Sequence, residues 1–393
     1  MDSNRKHNPP MPATSSPTWE LFCTVVDNYG DIGVTWRLAR QLAQEHGQRV
    51  RLWVDDLVRF HALRPEIDPE RYTQILEGVE IHRWRVPFPD VAPADVVIEA
   101  FACNLPDNHV RAMAARSPRP VWINLEYLSA EDWVAGCHGL PSPHPRLPLT
   151  KWFFFPGFNQ GTGGVLREAG LMQAVQAFQA SPAAQAAFWR ELGLPPAQID
   201  ELRISLFGYE NRAVRALLTQ WMQGPMPVRC LVPAGRILED VLHALGHDDL
   251  MPDQVLTRGR LKVHCLPMLA QDRYDRLLWA CDCNFVRGED SFVRALWSGQ
   301  PLVWQAYPQE GGAHWPKIRA FLGRYLQDLP TAAAEDLEAL WTAWNAGEHQ
   351  ALDWAAFWRH RSVLAVHARR WAERLAGLGD LAANLVRFCH ARL

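Results

Sequence analysis

Phe285-Val-Arg-Gly-Glu-Asp-Ser-Phe-Val-Arg-Ala-Leu-Trp-Ser-Gly299 decides how the chain is read. Cys281 to Val286 is an apolar run that predicts a short buried strand, and Arg287-Gly288 breaks it. Phe292, Val293 and Leu296 recur at helical spacing, so Glu289-Asp290-Ser291 opens a helix and Gly299 ends it. Pro301 to Trp304 predicts the next strand. Two carboxylates and a hydroxyl therefore sit at a strand-to-helix corner. A helix N-terminus presents free N–H groups and a partial positive charge, a setting that suits phosphate. The same residues also suit a helix that is merely capped, with Asp290 or Ser291 as N-cap, and position alone favours the cap.

A second corner lies far away in the chain. Leu21 to Val26 is a β-rich apolar run, and Asp27-Asn-Tyr-Gly-Asp-Ile-Gly33 follows at once. Val34, Leu38 and Leu42 then mark an amphipathic helix. This is strand, glycine-bearing loop, helix, with Asp27 and Asp31 four residues apart. It is neither a dinucleotide fingerprint nor a P-loop, because G-x-G-x-x-G and a following G-K-[ST] are both missing.

Outward from these corners, strands and helices alternate. Val50 to Val54, Val79 to Trp84, Asp95 to Phe101 and Val121 to Leu125 are strand candidates in the first half. Leu202 to Tyr209, Val228 to Val232 and Leu261 to Leu266 continue the alternation, with a helix expected from Asn211 to Met222. Helices are also expected from Met172 to Leu192 and from Ala313 onward, where Trp341, Trp344, Trp354, Trp358 and Trp371 read as packing residues. Near-continuous apolar strands between helices predict parallel sheets covered on both faces. Between the halves, Lys151-Trp-Phe-Phe-Phe155 feeds Pro156 to Gly164, nine residues with four glycines. That stretch reads equally as an acceptor-binding surface or as an irregular connection between halves.

Composition narrows the class. The 393 residues suffice for two full-sized domains. Forty basic residues against 43 acidic ones leave a net charge of −3, which argues against a nucleic-acid binder. No apolar run is long enough to span a membrane. Residues 1–17 are polar and proline-rich, and read as a disordered lead-in rather than a signal peptide. Eight scattered cysteines without a C-x-x-C pair read as reduced core thiols of a cytoplasmic protein, with Cys281 and Cys283 on one face of a strand. Two α/β halves, each with a loaded strand-end corner, place one site in the cleft between them. Facing Rossmann-like halves of this kind are the GT-B arrangement.

Taken together, Asp27 to Gly33, Leu206-Phe-Gly-Tyr209, Gln271-Asp-Arg-Tyr274 and Arg287 to Ser291, followed by Trp304 and Tyr307-Pro-Gln309, resemble one family. It is the bacterial protein-arginine rhamnosyltransferases that act on translation elongation factor P. The resemblance spans essentially all of the chain after residue 17. It implies a GT-B inverting enzyme with an N-terminal acceptor-side domain at 18–192 carrying the catalytic aspartates. A donor-binding domain at 193–375 and a C-terminal helix at 376–393, able to pack back on the first domain, would follow. It implies dTDP-β-L-rhamnose as donor substrate, no cofactor, no metal, and an arginine on a loop of the factor's N-terminal domain as acceptor. Carried onto these positions, it makes Phe207 and Tyr209 walls of the thymine pocket and Gln271 and Tyr274 further lining. It gives Arg287, Gly288, Glu289, Asp290 and Ser291 to the nucleotide's sugar and phosphates. An aromatic is expected where Met268 stands, and Met268 is therefore left out.

A guanidinium stays protonated at cellular pH, so a site that glycosylates arginine must hold a cation and remove a proton. Carboxylates do both. Asp31 is the expected base, with Asp27 orienting the guanidinium or reinforcing the negative field. Glu289 either bonds the deoxyribose or fixes the loop, with the base role falling to it or to a water if Asp31 fails. Tyr29 either touches the sugar or packs under the loop, Gly30 beside it is counted with the donor site, and Asp290 and Ser291 act through side chains or through backbone N–H groups. Another GT-B nucleotide-sugar enzyme, such as an epimerase, would share the donor site. A non-catalytic binder of a translation factor would not need the aspartate pair.

Overall fold

The computed structural model describes residues 16–26, 29–247, 255–348 and 350–393. Asp27, and residues 1–15 of the expected lead-in, lie outside the described residues. The first half opens with β1 (Thr18–Cys23), α1 (Gly30–Gln44), β2 (Arg49–Val54) and α2 (Leu57–Leu63). It continues through β3 (Thr73–Leu76), β4 (Val79–Arg83), β5 (Val96–Ala100), α3 (Asp107–Ala115) and β6 (Val121–Leu125). The segments α4 (Trp133–Cys137), β7 (Pro141–Pro143) and β8 (Thr150–Phe154) complete it. Its eight strands are ordered β3-β4-β2-β1-β5-β6-β8-β7, antiparallel only in the β3–β4 and β7–β8 pairs at the two edges. Every residue of β5 and β6 is buried, as strands covered on both faces require.

Two helices, α5 (Leu171–Gln179) and α6 (Pro182–Glu191), lead to the second sheet. One helix was expected here. Ser181 breaks it, accepting a hydrogen bond from the Ala184 N–H while Pro182 takes the first helical turn. The second half then runs β9 (Leu202–Leu206), α7 (Val214–Gln223), β10 (Val228–Pro233), α8 (Ile237–Ala244), β11 (Val255–Arg258) and β12 (Leu261–Leu266). It continues with α9 (Gln271–Ala280), β13 (Cys283–Arg287), α10 (Asp290–Ser298) and β14 (Leu302–Gln305). The sheet order is β11-β12-β10-β9-β13-β14, parallel except for the β11–β12 edge pair. Cys281 ends α9 instead of starting β13, so it and Cys283 do not share a strand face. The chain finishes in α11 (Trp315–Tyr325), α12 (Thr331–Ala346), α13 (Trp354–Trp358), α14 (Arg361–Ala376) and α15 (Leu381–His390).

Two facing α/β halves with a helical C-terminal segment are the expected GT-B architecture. The halves are laced together at several levels. Leu171, Val175, Phe178 and Trp189 of α5 and α6 share the core of the second sheet. Leu381, Ala382, Leu385 and Cys389 of α15 return to the core of the first. The glycine-rich stretch joins this lacing. Leu381 N–H donates to the Val165 carbonyl at 3.1 Å. A Cβ on Gly163 would stand 2.4 Å from the Phe154 ring, so only glycine lets this loop lie flat beneath α15. Residues 157–164 are thus mainly a packed connection between halves.

Candidate active site

At the first corner, α1 starts at Gly30, with Asp31 in its first turn and Tyr29 as an N-cap that makes no side-chain cap. The Asp31 carboxylate is buried. Its Oδ2 accepts from the Val26 N–H at 2.8 Å and its Oδ1 from the Tyr127 hydroxyl at 3.4 Å. Tyr127 follows β6 and stacks on Phe101, which follows β5, with ring centroids 4.6 Å apart and an 18° interplanar angle. Phe101 and Ala102 take left-handed φ values of 55° and 53°, backbone strain at the strand end that carries the stack. Lys317 Nζ stands 5.4 Å from the Tyr127 ring centroid.

The second corner is built around a cation. β13 delivers Arg287, whose guanidinium carbon lies 4.7 Å from the Phe207 ring centroid and 4.6 Å from that of Tyr209. Two aromatic faces hold the charge by its attraction to their π-electrons. The Ser291 hydroxyl accepts from the Arg287 N–H at 3.2 Å and donates to the Arg287 carbonyl, which closes the turn. The Trp304 indole N–H donates to the Gly288 carbonyl at 2.8 Å and its ring stacks on Phe292. Glu289 is the N-cap of α10 without capping it through its side chain. Its Oε2 instead accepts from the Leu128 N–H at 3.0 Å, across the cleft. Tyr274 packs against Phe207, and burial pushes its hydroxyl well above the ordinary tyrosine range, so it stays neutral.

The Asp290 side chain faces the other half. Its Oδ1 accepts from Arg37 Nε at 2.7 Å and its Oδ2 from Gln271 Nε2 at 3.0 Å. The same Gln271 amide donates to the Gly33 carbonyl at 3.0 Å. A Cβ on Gly33 would stand 3.2 Å from Asp290 Oδ2, so α1 and the start of α10 approach as closely as a glycine permits. Behind this contact, Arg37 and Arg294 both fork onto Asp275, at 2.9 to 3.0 Å and 2.8 to 3.1 Å. Glu168 accepts from Arg294 at 2.6 Å and from Arg40 at 3.4 Å. Burial alone would raise the Glu168 carboxyl, but Arg294 and Arg37 hold it well below the usual carboxylate range.

Two adjoining cavities occupy the cleft, and Gly30, Gly288 and Glu289 line both. One is bordered by Tyr29, Phe207, Gln271, Tyr274, Arg287 and Ser291, with Asp290 at its edge. The other is bordered by Asp31, Phe101, Tyr127, Trp304, Tyr307 and Lys317. Of the expected donor residues, Tyr209 alone is set back, behind Arg287 and edge-on to Tyr307 at 5.3 Å. Met268, left out of the expected site, lines the first cavity. Phe101, Tyr127 and Lys317 carried no expected role either. The signal for the first two was available, since Phe101 ends one predicted parallel strand and Tyr127 follows another, and ligands of such sheets bind at the carboxyl ends of strands. Among the described residues no His/Cys/Asp/Glu group is arranged to hold a metal, and no helix is long and apolar enough to cross a membrane.

A family described as Elongation-Factor P (EF-P) rhamnosyltransferase EarP matches residues 19–390. A protein-arginine rhamnosyltransferase of Pseudomonas aeruginosa is 51% identical over 371 residues, covering 94% of this chain and 98% of that protein. One from Shewanella oneidensis is 41% identical over 391 residues, covering 96% and 98%. A solved structure concerned with EarP-mediated arginine glycosylation of translation elongation factor EF-P is 35% identical. It superposes with a TM-score of 0.68, covering 96% of this chain and 100% of that one.

Proposed function

The chain belongs to the Elongation-Factor P (EF-P) rhamnosyltransferase family, and from that premise we propose that it moves L-rhamnose from dTDP-β-L-rhamnose to an arginine of elongation factor P, with inversion. One observation carries the site assignment. Asp31 of the first half and the opening turn of α10 of the second border two cavities that meet at Gly30, Gly288 and Glu289. A base and an anion site on opposite sides of a sugar are what inversion needs.

In this reading the nucleotide lies along Phe207 and Tyr274, and Arg287 with the free N–H groups at 290–292 receives the diphosphate. These groups supply the countercharge for the leaving group, and the proposed route calls on no metal or cofactor. The acceptor arginine, from a loop of the factor's N-terminal domain, enters the cavity of Asp31 and Tyr127. One guanidinium nitrogen attacks the anomeric carbon from the face opposite the diphosphate. Asp31 takes an N–H proton as the C–N bond forms, the C–O bond breaks, and dTDP leaves. Asp27 orients the guanidinium, and Glu289 fixes the loop between the cavities through the Leu128 N–H. Binding both reactants in one geometry replaces a bimolecular encounter with an intramolecular one. We place this reaction in the cytoplasm.

The test is incubation of the chain with dTDP-rhamnose and elongation factor P, followed by the intact mass of the factor. A gain of one rhamnosyl residue is expected. Donor consumption with an unmodified factor would replace this reading by nucleotide-sugar chemistry, and no reaction at all would leave a binder.

A further inference from the structure

The proton acceptor and the donor corner belong to different halves, so something must fix their separation. Arg37 lies on α1, six residues after Asp31, and is almost wholly buried. Its two terminal nitrogens grip Asp275, and that grip turns its Nε toward Asp290, the first residue of α10. The fork geometry matters, because a planar guanidinium can serve Asp275 along one edge and Asp290 through Nε at once. Lysine, a point charge on a flexible stem, cannot hold both directions.

The charges nearly close on themselves. Arg37, Arg40 and Arg294 face Glu168, Asp275 and Asp290. Arg294 alone already satisfies Asp275 bidentately and binds Glu168. Most of this cluster could therefore be neutralised without Arg37. What Arg37 adds is the direct link from the helix of Asp31 to the residue beside Glu289. Gln271 repeats the link one turn nearer the site, between Gly33 and Asp290.

We infer that Arg37 is a positioning residue, which through Asp290 sets the opening turn of α10 relative to Asp31 and so holds the base and the leaving-group site at reacting distance. It touches no substrate. The inference rests on the donor lying at the α10 corner and on Asp31 acting as base.

Turnover, KM for donor and thermal midpoint are measured for Arg37→Lys, Asp290→Ala and the double variant. Arg37→Lys and Asp290→Ala are each expected to lower kcat by roughly 10- to 100-fold, the scale of an ångström-sized misplacement. The double variant should be no worse than the poorer single, because both cut one link. Asp290→Asn keeps the Oδ1 acceptor for Arg37 and should recover much of the rate. Should Arg37→Lys melt below the assay temperature, Asp290→Ala against Asp290→Asn decides alone. Losses that add, an Arg37→Lys enzyme with lowered midpoint but unchanged kcat, or Asp290→Asn as slow as Asp290→Ala would overturn the inference. An Arg287→Ala control separates the premise: unchanged donor affinity there removes the donor site itself, whereas weakened affinity beside a normal Arg37→Lys rate removes only the positioning role.

Discussion

The two corners of the cleft share one local fold and are built around opposite charges, Asp31 at one and Arg287 at the other. In each, a buried parallel strand leads to a helix that opens without a side-chain cap, α1 beginning at Gly30 and α10 just after Gly288. The β1–α1 corner aims a carboxylate into the cavity, held by the Val26 N–H and the Tyr127 hydroxyl. The β13–α10 corner aims a guanidinium between two aromatic rings and engages its carboxylates with donors of the other half, Glu289 with the Leu128 N–H across the cleft and Asp290 with Arg37. A helix N-terminus is thus not by itself an anion site. In the proposed reaction the side chain placed at each corner, the Asp31 carboxylate in the first turn of α1 or the Arg287 guanidinium at the end of β13, sets which charge the corner receives.

Substituting the first corner should have the largest effect on rate and the least on donor binding. Asp31→Asn keeps shape and hydrogen-bonding capacity but cannot accept a proton. Turnover is expected to fall by roughly 10²- to 10⁴-fold, with donor affinity by calorimetry unchanged, because a general base contributes in the transition state. Near-normal turnover would make Asp31 a loop-fixing residue and move the base to Glu289 or a water.

The second corner should show the reverse pattern. Arg287→Ala removes the cation that Phe207 and Tyr209 hold, and donor binding should weaken by about 1.5–3 kcal/mol, the range for hydrogen bonds to charged groups. Turnover at saturating donor should fall less than for Asp31→Asn. A titration indistinguishable from the unsubstituted chain would mean that the two corners do not divide the work between acceptor and donor.

What is legible in the sequence is local. The α10 corner was legible because strand, break, helix and terminal glycine are contiguous from Cys281 to Gly299. The alternation of apolar strands and helices was likewise enough for the GT-B class. The Ser181-Pro182 break was written in the chain as an N-cap followed by proline, yet apolar periodicity across it reads as one helix. Arg37 was not legible, since on α1 it is one more polar residue, and its partners lie 238 and 253 positions away. The glycines of 157–164 answer to α15, which follows more than two hundred residues later. Met268 was set aside for lacking an aromatic ring, although a flexible thioether fills the wall of a cavity as readily.

Tyr127 offers the finest test of the comparison, because it reaches the first corner through its side-chain hydroxyl. It follows β6, and the β5–β6 register brings it face to face with Phe101. Tyr127→Phe keeps that stack and removes only the hydroxyl that donates to Asp31 Oδ1. At 3.4 Å the bond is long for one to a carboxylate, so its loss should cost about 0.5–1.5 kcal/mol, the range of an ordinary hydrogen bond, and kcat should fall by roughly 2- to 10-fold. Losing a donor to the charged form also makes the carboxylate easier to protonate, so the acidic limb of the rate profile should move to higher pH. Donor affinity should not change. A fall in kcat with an unmoved acidic limb would assign Tyr127 to acceptor binding instead of to Asp31. A limb that moved together with donor affinity would mean that the two corners share one electrostatic field and cannot be substituted independently.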